Sequence, residues 1–405
     1  MNWIENVINR SNIVQANSLY EQQLINKLID VSYNLADEHN RGTILASFYD
    51  LAIAAVYYTY ITNSGWMYCK NGGNPKLVLP FVNCCPIHAL RAEYIFHKSS
   101  KPTSAKIGEA TSRILLLFHQ AIFKKDGNNI DVYDACEPAD AIFLDKEHSA
   151  AFFAEIKASP LLTMSLATNC ETLTDLDDDG NVIKIEHKPT ANPQLLGTEC
   201  YIMLPTMDEN EKWTFKYYSI GSKQNADDDN FAYKGILNLL NDNHFISDYI
   251  KYWQKSFELY CTKDDSDNIF WFTNACGKPS GLRNWTGGTT CISDAKTSVG
   301  MDRTDDIKKG IYQVLKLGSE GKSQQTKWNY KVGILSNIHP ARHFESYIRP
   351  IKDMVWASVA EKNINFARDI SGDTPVYNLF DGIITFTGSY IRDKWLSDNM
   401  TNFEK

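Results

Sequence analysis

Apolar residues recur at intervals of three and four from residue 3 to about 62, as in LYEQQLINKLIDVSYNLADEH, and this spacing predicts an N-terminal helical region. The stretch LASFYDLAIAAVYYTYI is apolar on every side and broken only by Asp50, the pattern of a helix buried all round. From 63 to 105 the rhythm dissolves into Gly, Pro, Asn and a cysteine cluster, which predicts irregular connecting structure. Helical spacing resumes in EATSRILLLFHQAIF, opened by Lys106-Ile107-Gly108-Glu109 and stopped at Lys124-Lys125-Asp126-Gly127.

Between 130 and 157 the apolar runs shorten to strand length, two or three of them, joined by the polar turn at 145–149. Polar turns at DLDDDGN (175–181) and MDENEK (207–212) mark two further hairpins, so the sheet has several antiparallel members. FISDYIKYWQKSFELY (245–260) is an amphipathic helix and GKPSGLRNWTGG (277–288) a loop. The last third reads strand, helix, strand in TTCISDAK, DDIKKGIYQVLKL and WNYKVGILSN. The class is therefore mixed α/β (α+β). The expected division is an N-terminal part at 1–105 and a main domain at 106–405, with an insertion at about 160–290.

Composition narrows the possibilities. A hydrophobic fraction of 43% with 22% charged and 12% aromatic residues belongs to a chain that folds around a core. The net charge of -8 provides no global attraction for nucleic acid, so any such partner needs a local basic cleft. Nine cysteines without repeated spacing point to a reduced, cytoplasmic setting. No segment reaches the roughly 20 uninterrupted apolar residues of a membrane span, so a soluble protein without a membrane partner is expected.

The candidate chemistry lies in EPADAIFLDKEHSAAFFAEIK (137–157). Residues two apart on a strand share a face, so Glu155 and Lys157 point together, and a hairpin closed near 149 brings Asp140 beside them. Two carboxylates on one face repel, and a hard divalent cation such as Mg²⁺ relieves them. With Lys157 to orient or deprotonate water, the set suits phosphodiester hydrolysis.

Pro138-Ala139-Asp140, fourteen intervening residues and Glu155-Ile156-Lys157 resemble the signature of the PD-(D/E)XK nuclease superfamily, and EIKASPL after a strand resembles type II restriction endonucleases. Ala139, interposed between Pro138 and Asp140, departs from the family pattern. The resemblance implies a core of helix, three antiparallel strands, helix and strand, with the first acid on the second strand and E-x-K on the third. It also implies Mg²⁺ held by Asp140 and Glu155 and assistance from Glu109 at the start of the preceding helix; in the family the helix after the E-x-K strand turns a Gln toward the site, a place that Gln313 with Tyr312 suits in the helix after Ser293-Asp294-Ala295-Lys296. The implied activity is sequence-specific cleavage of double-stranded DNA by a homodimer, with a cognate DNA methyltransferase in the same system. A repair, recombination or RNA-processing nuclease of the same fold, and a non-catalytic DNA-binding protein that keeps the fold, are the alternatives.

Other residues compete for roles. Asp294 and Lys296 form a second acid-x-Lys run, either an alternative site or neighbours of the first, with Asp267 the nearest partner acid. Arg283 with Lys278 and Trp285, Arg303 with Lys308 and Lys309, and His339 with Arg342 and His343 are candidate DNA contacts. Cys69, Cys84, Cys85 and His88 offer a tetrahedral Zn²⁺ site, with buried free thiols as the plainer reading. DLDDDGNVIKIE (175–186) fits a calcium-loop pattern, yet its second half alternates like a strand, which favours an acidic hairpin turn.

Overall fold

The computed structural model describes residues 2–36, 40–70, 76–81, 84–93, 95, 97, 102–170, 174–184, 187–225, 227–264, 266–274, 299–357 and 371–400. The chain opens with α1 (Trp3–Arg10), β1 (Asn12–Ile13), α2 (Leu19–Leu35) and α3 (Arg41–Thr59). Asn2 and Ser18 cap α1 and α2 by accepting from the backbone N–H groups of Ile4 and Glu21. Next come β2 (Trp66–Cys69), β3 (Lys76–Leu79), α4 (Pro86–Ala89) and α5 (Ser104–Lys125). The three strands β4 (Ile130–Asp134), β5 (Ala141–Asp145) and β6 (Ala150–Ile156) follow as an antiparallel meander.

The stretch after β6 supplies β7 (Leu166–Asn169), β8 (Thr174–Leu176), β9 (Val182–Lys184), β10 (His187–Ala191), β11 (Cys200–Met207), β12 (Trp213–Gly221), α6 (Phe231–Leu239) and α7 (Asn243–Thr262). The chain then returns through α8 (Thr304–Gly321) and β13 (Asn329–Leu335). It ends with β14 (Val355–Ala357), β15 (Val376–Asn378), β16 (Gly382–Ile384), β17 (Tyr390–Ile391) and α9 (Lys394–Asn399).

The architecture is mixed α/β. Its principal sheet has seven strands in the order β1-β4-β5-β6-β13-β16-β17, antiparallel through the meander and parallel where β6, β13 and β16 adjoin. Alternation along β5 shows how its two faces are buried. Ala141 and Phe143 pack with α5 and α3 on one side, whereas Ile142 and Leu144 pack with α1 and α8 on the other. Close pairing of β13 with β16 needs glycine, since a Cβ on Gly333 would lie 1.9 Å from the Gly382 carbonyl oxygen.

A second, six-stranded sheet has the order β10-β2-β3-β7-β11-β12. It joins strands from before α5 to strands from after β6, through the pairing of β3 with β7. Thus Trp66–Cys69 and Lys76–Leu79, where the composition predicts irregular structure, form an antiparallel strand pair. Four-residue strands such as WMYC and KLVL, buried on both faces, are too short for the period-2 pattern to register. Asp267, the nearest partner acid to the second acid-x-Lys run, caps a 3₁₀ turn at Asn268–Phe272.

Behind α5, helix α3 is buried along almost its whole length, as its unbroken apolar sequence requires. Its one acid, Asp50, accepts hydrogen bonds from Leu162 N at 2.9 Å and Trp253 Nε1 at 2.8 Å, which ties α3 to the segment after β6 and to α7. Among the described residues no helix is long and apolar enough to cross a membrane.

Candidate active site

The register of the meander assembles the site. Ala141 faces Ala154 across the β5–β6 pair, so Asp140, one residue earlier, stands opposite Glu155. The Asp140 backbone N–H donates to Ala154 O at 3.0 Å, and its carboxylate accepts from Ile156 N at 2.9 Å. The first acid is therefore clamped to the strand that carries the second. Lys157, just past the end of β6, is held by its own N–H to Leu335 O on β13 at 2.9 Å. Its ammonium pairs with the Glu155 carboxylate and donates to the Ile156 carbonyl at 3.1 Å. The sequence expectation that Asp140, Glu155 and Lys157 share a face matches this geometry.

All three project from the side of the sheet covered by α8. That helix buries Ile307, Gly310, Val314 and Leu317, and the spacing turns Lys308, Lys309 and Tyr312 outward. Gly310 permits the close approach, since a Cβ there would lie 3.2 Å from Ile334 and 3.9 Å from the Lys157 side chain. The result is a cleft of about 570 Å³ whose floor is residues 137–140 with Glu155 and whose wall is Lys308, Lys309, Tyr312, Gln313 and Lys316. Gln313 Nε2 donates to Pro138 O at 2.8 Å and so fixes wall to floor.

The electrostatics follow from this placement. Burial, and then the Asp140 charge, raise the Glu155 carboxyl to about 7, while Lys157 pulls it down. Asp134, which the sequence reading passed over, ends β4 at the same end of the sheet. Crowding by protein and the charge of Asp140 raise its pKa, Arg113 opposes them, and Glu109 adds to the rise. Nothing in the sequence distinguished Asp134 from other strand-end acids.

Glu109 itself is exposed on α5, which packs on the other face of the sheet from the Asp140–Glu155 pair. Among the described residues no third His, Cys, Asp or Glu ligand atom joins Asp140 and Glu155 within 4.8 Å. The donor set is two carboxylates, hard oxygens that fit Mg²⁺ and other hard divalent cations. Such ions complete their coordination with water and substrate phosphate.

The remaining candidates separate. Arg303 is exposed at the start of α8, beside the lysine wall. His343 and the Arg342 backbone are occupied by the buried Asp302 carboxylate at 2.7 and 3.0 Å, and the His339 ring nitrogen meets Gly388 O at 3.2 Å. Lys278, Arg283, Trp285, Asp294 and Lys296 lie outside the described residues. In the acidic loop, β8 and β9 pair as a hairpin, and Asp177 accepts from Asp179 N and Asn181 N as turn residues do. A helix–loop–helix calcium site is thereby replaced by a hairpin turn, and Glu186 lies outside the described residues. Of the four zinc candidates, Cys69, Cys85 and His88 converge and Cys84 does not join them.

No known protein family, curated protein or solved structure matches this chain.

Proposed function

We propose that the chain is a Mg²⁺-dependent endonuclease for double-stranded DNA, of the PD-(D/E)XK type found in type II restriction enzymes. The observation that carries the proposal is the clamped pair Asp140–Glu155 with Lys157 on the same strand face, in a cleft walled by three lysines of α8. The order helix α5, antiparallel β4-β5-β6, helix α8 and parallel β13 supports it, because this is the core that the resemblance implies.

Asp140 and Glu155 would hold Mg²⁺, which would supply positive charge against the phosphodiester and acidity toward water. The Ile156 N–H fixes the Asp140 carboxylate for that task. The Lys157 ammonium stands where it can direct water or donate to the charge that grows on the phosphoryl oxygens. Lys308, Lys309 and Lys316 draw the phosphate backbone into the cleft. Cutting both strands of a symmetric site suits a homodimer, and a cognate methyltransferase would shield the host's own sites. The sheet outside the meander, built from β2, β3, β7 and β10–β12, supplies surface for sequence reading.

The test is incubation of plasmid DNA with the protein in Mg²⁺ or in EDTA. Discrete fragments are expected only with Mg²⁺, and none with Asp140→Ala or Glu155→Ala, both of which should still bind DNA in Ca²⁺. Lys157→Ala should cut at least ~100-fold more slowly, the scale of one lost preorganised donor, with affinity within a few-fold of wild type. Glu109→Ala should lose less, since its helix covers the opposite face. Wild-type cleavage by Asp140→Ala would move the active site elsewhere, and no cleavage of any DNA with Mg²⁺ would leave a binding protein.

A further inference from the structure

A second cluster lies away from the cleft, in the small core under the second sheet. Cys69 is the last residue of β2, Cys85 caps α4, and Pro86 opens that helix at a position where its missing N–H costs nothing. One turn later His88 faces the same way. Its Nδ1 lies 3.2 Å from Cys85 Sγ and 3.7 Å from Cys69 Sγ, and the three ligand atoms all fall within 4.8 Å of one another. All three residues are buried. Cys69 and Cys85 pack among Met67, Val78, Ile87, Ala167 and Met203, whereas the adjacent Cys84 belongs to the main core.

We propose that Cys69, Cys85 and His88 bind one zinc ion that staples β2 to α4. Two thiolates and an imidazole are the soft and borderline donors that select Zn²⁺, and they are poor ligands for the Mg²⁺ suited to the Asp140–Glu155 pair. Charge supports the choice. Zn²⁺ with two thiolates and a neutral imidazole has no net charge, so an apolar surround tolerates it far better than it tolerates a lone ion. On binding, the thiols of Cys69 and Cys85 release their two protons and the sulfurs become the ligands. Among the described residues three donors converge, and one tetrahedral position remains for a further ligand.

Such a staple ties together two short elements of the segment before α5. It fixes the short helix α4, whose Cys85 N–H donates to Ile95 O at 2.8 Å, against the sheet that β2 shares with strands from after β6. The ion is structural and takes no part in phosphodiester chemistry, so its test involves no DNA.

The experiment uses the full chain purified in reducing buffer. Elemental analysis should find close to one zinc per chain in wild type and in Cys84→Ser, and little in Cys85→Ser or His88→Ala. The stripped, reduced wild type should take up Co²⁺ with the strong near-ultraviolet absorption of a thiolate-bound ion, and chelation should lower its melting temperature. If the ligand variants do not fold, the wild-type Co²⁺ titration decides alone. Zinc far below one per chain with no thiolate–Co²⁺ absorption overturns the proposal. So does an intact mass short by the two hydrogens of a Cys69–Cys85 disulfide, or loss of zinc from folded Cys84→Ser.

Discussion

At Glu155 the strand backbone holds a carboxyl where burial and the neighbouring Asp140 both oppose its charge. The unfolded chain releases this proton near 4.5 and the folded chain at about 7. Between those values the folded chain keeps a proton that the unfolded chain has lost. The stability this group contributes is therefore fully present below 4.5 and is lost as the pH rises through about 7. A divalent cation needs the ionised form, so its stabilising effect should grow over the same window. In EDTA, the melting temperature of wild type should fall more steeply from pH 4.5 to above 7 than that of Glu155→Gln. In Mg²⁺ the wild type should recover and the variant much less. Calorimetry across pH for both proteins checks this, and parallel EDTA profiles would remove Glu155 as the titrating group.

Among the elements, α3 shows how one polar residue organises several apolar ones. Burial drives the pKa of Asp50 well up, opposed by the bonds from Trp253 and the backbone at 161–162. Asp50→Ala leaves the Trp253 indole N–H and the Leu162 N–H unpaired inside the core and should cost about 3 kcal/mol. Asp50→Asn keeps an acceptor oxygen and should cost markedly less. Urea denaturation of the three proteins measures the difference, and equal losses would mean that cavity volume, not the hydrogen bonds, sets the cost.

The same elements show what the chain disclosed. The long runs of α3, α5 and α8 and the tight meander β4–β6 carried enough periodicity to be read. With them came the face shared by Asp140, Glu155 and Lys157, since strand alternation alone fixes it. Pairings between distant segments, such as β3 with β7, leave no local trace. Nor does sequence tell which of two adjacent cysteines turns toward Cys69, because backbone direction at 84–86 decides it. Glu109 was placed by resemblance at the start of the helix before the meander; there it is exposed, and its charge reaches Asp134 at the site's end of the sheet. Asp134 and Lys316 entered only through the geometry.

For the whole molecule, a net charge of -8 makes DNA binding depend on where the cations stand. Lys308, Lys309 and Lys316 stand along one wall of the cleft, and the buried side of α8 keeps them in line. If these lysines meet phosphates, each releases condensed counterions, and the logarithm of the binding constant falls with the logarithm of salt by roughly 0.9 for each contact. Replacing all three by Ala should weaken DNA binding most strongly at low salt and flatten that slope by roughly two to three. The Asp140–Glu155 pair and the fold should be untouched, because all three side chains project away from the residues that α8 buries. Fluorescence anisotropy with a labelled duplex in Ca²⁺, over a salt series, gives the slope directly. A triple variant that binds more weakly with the wild-type slope would place the phosphate contacts on another surface. An unchanged affinity would leave the lysine wall as ordinary solvated charge.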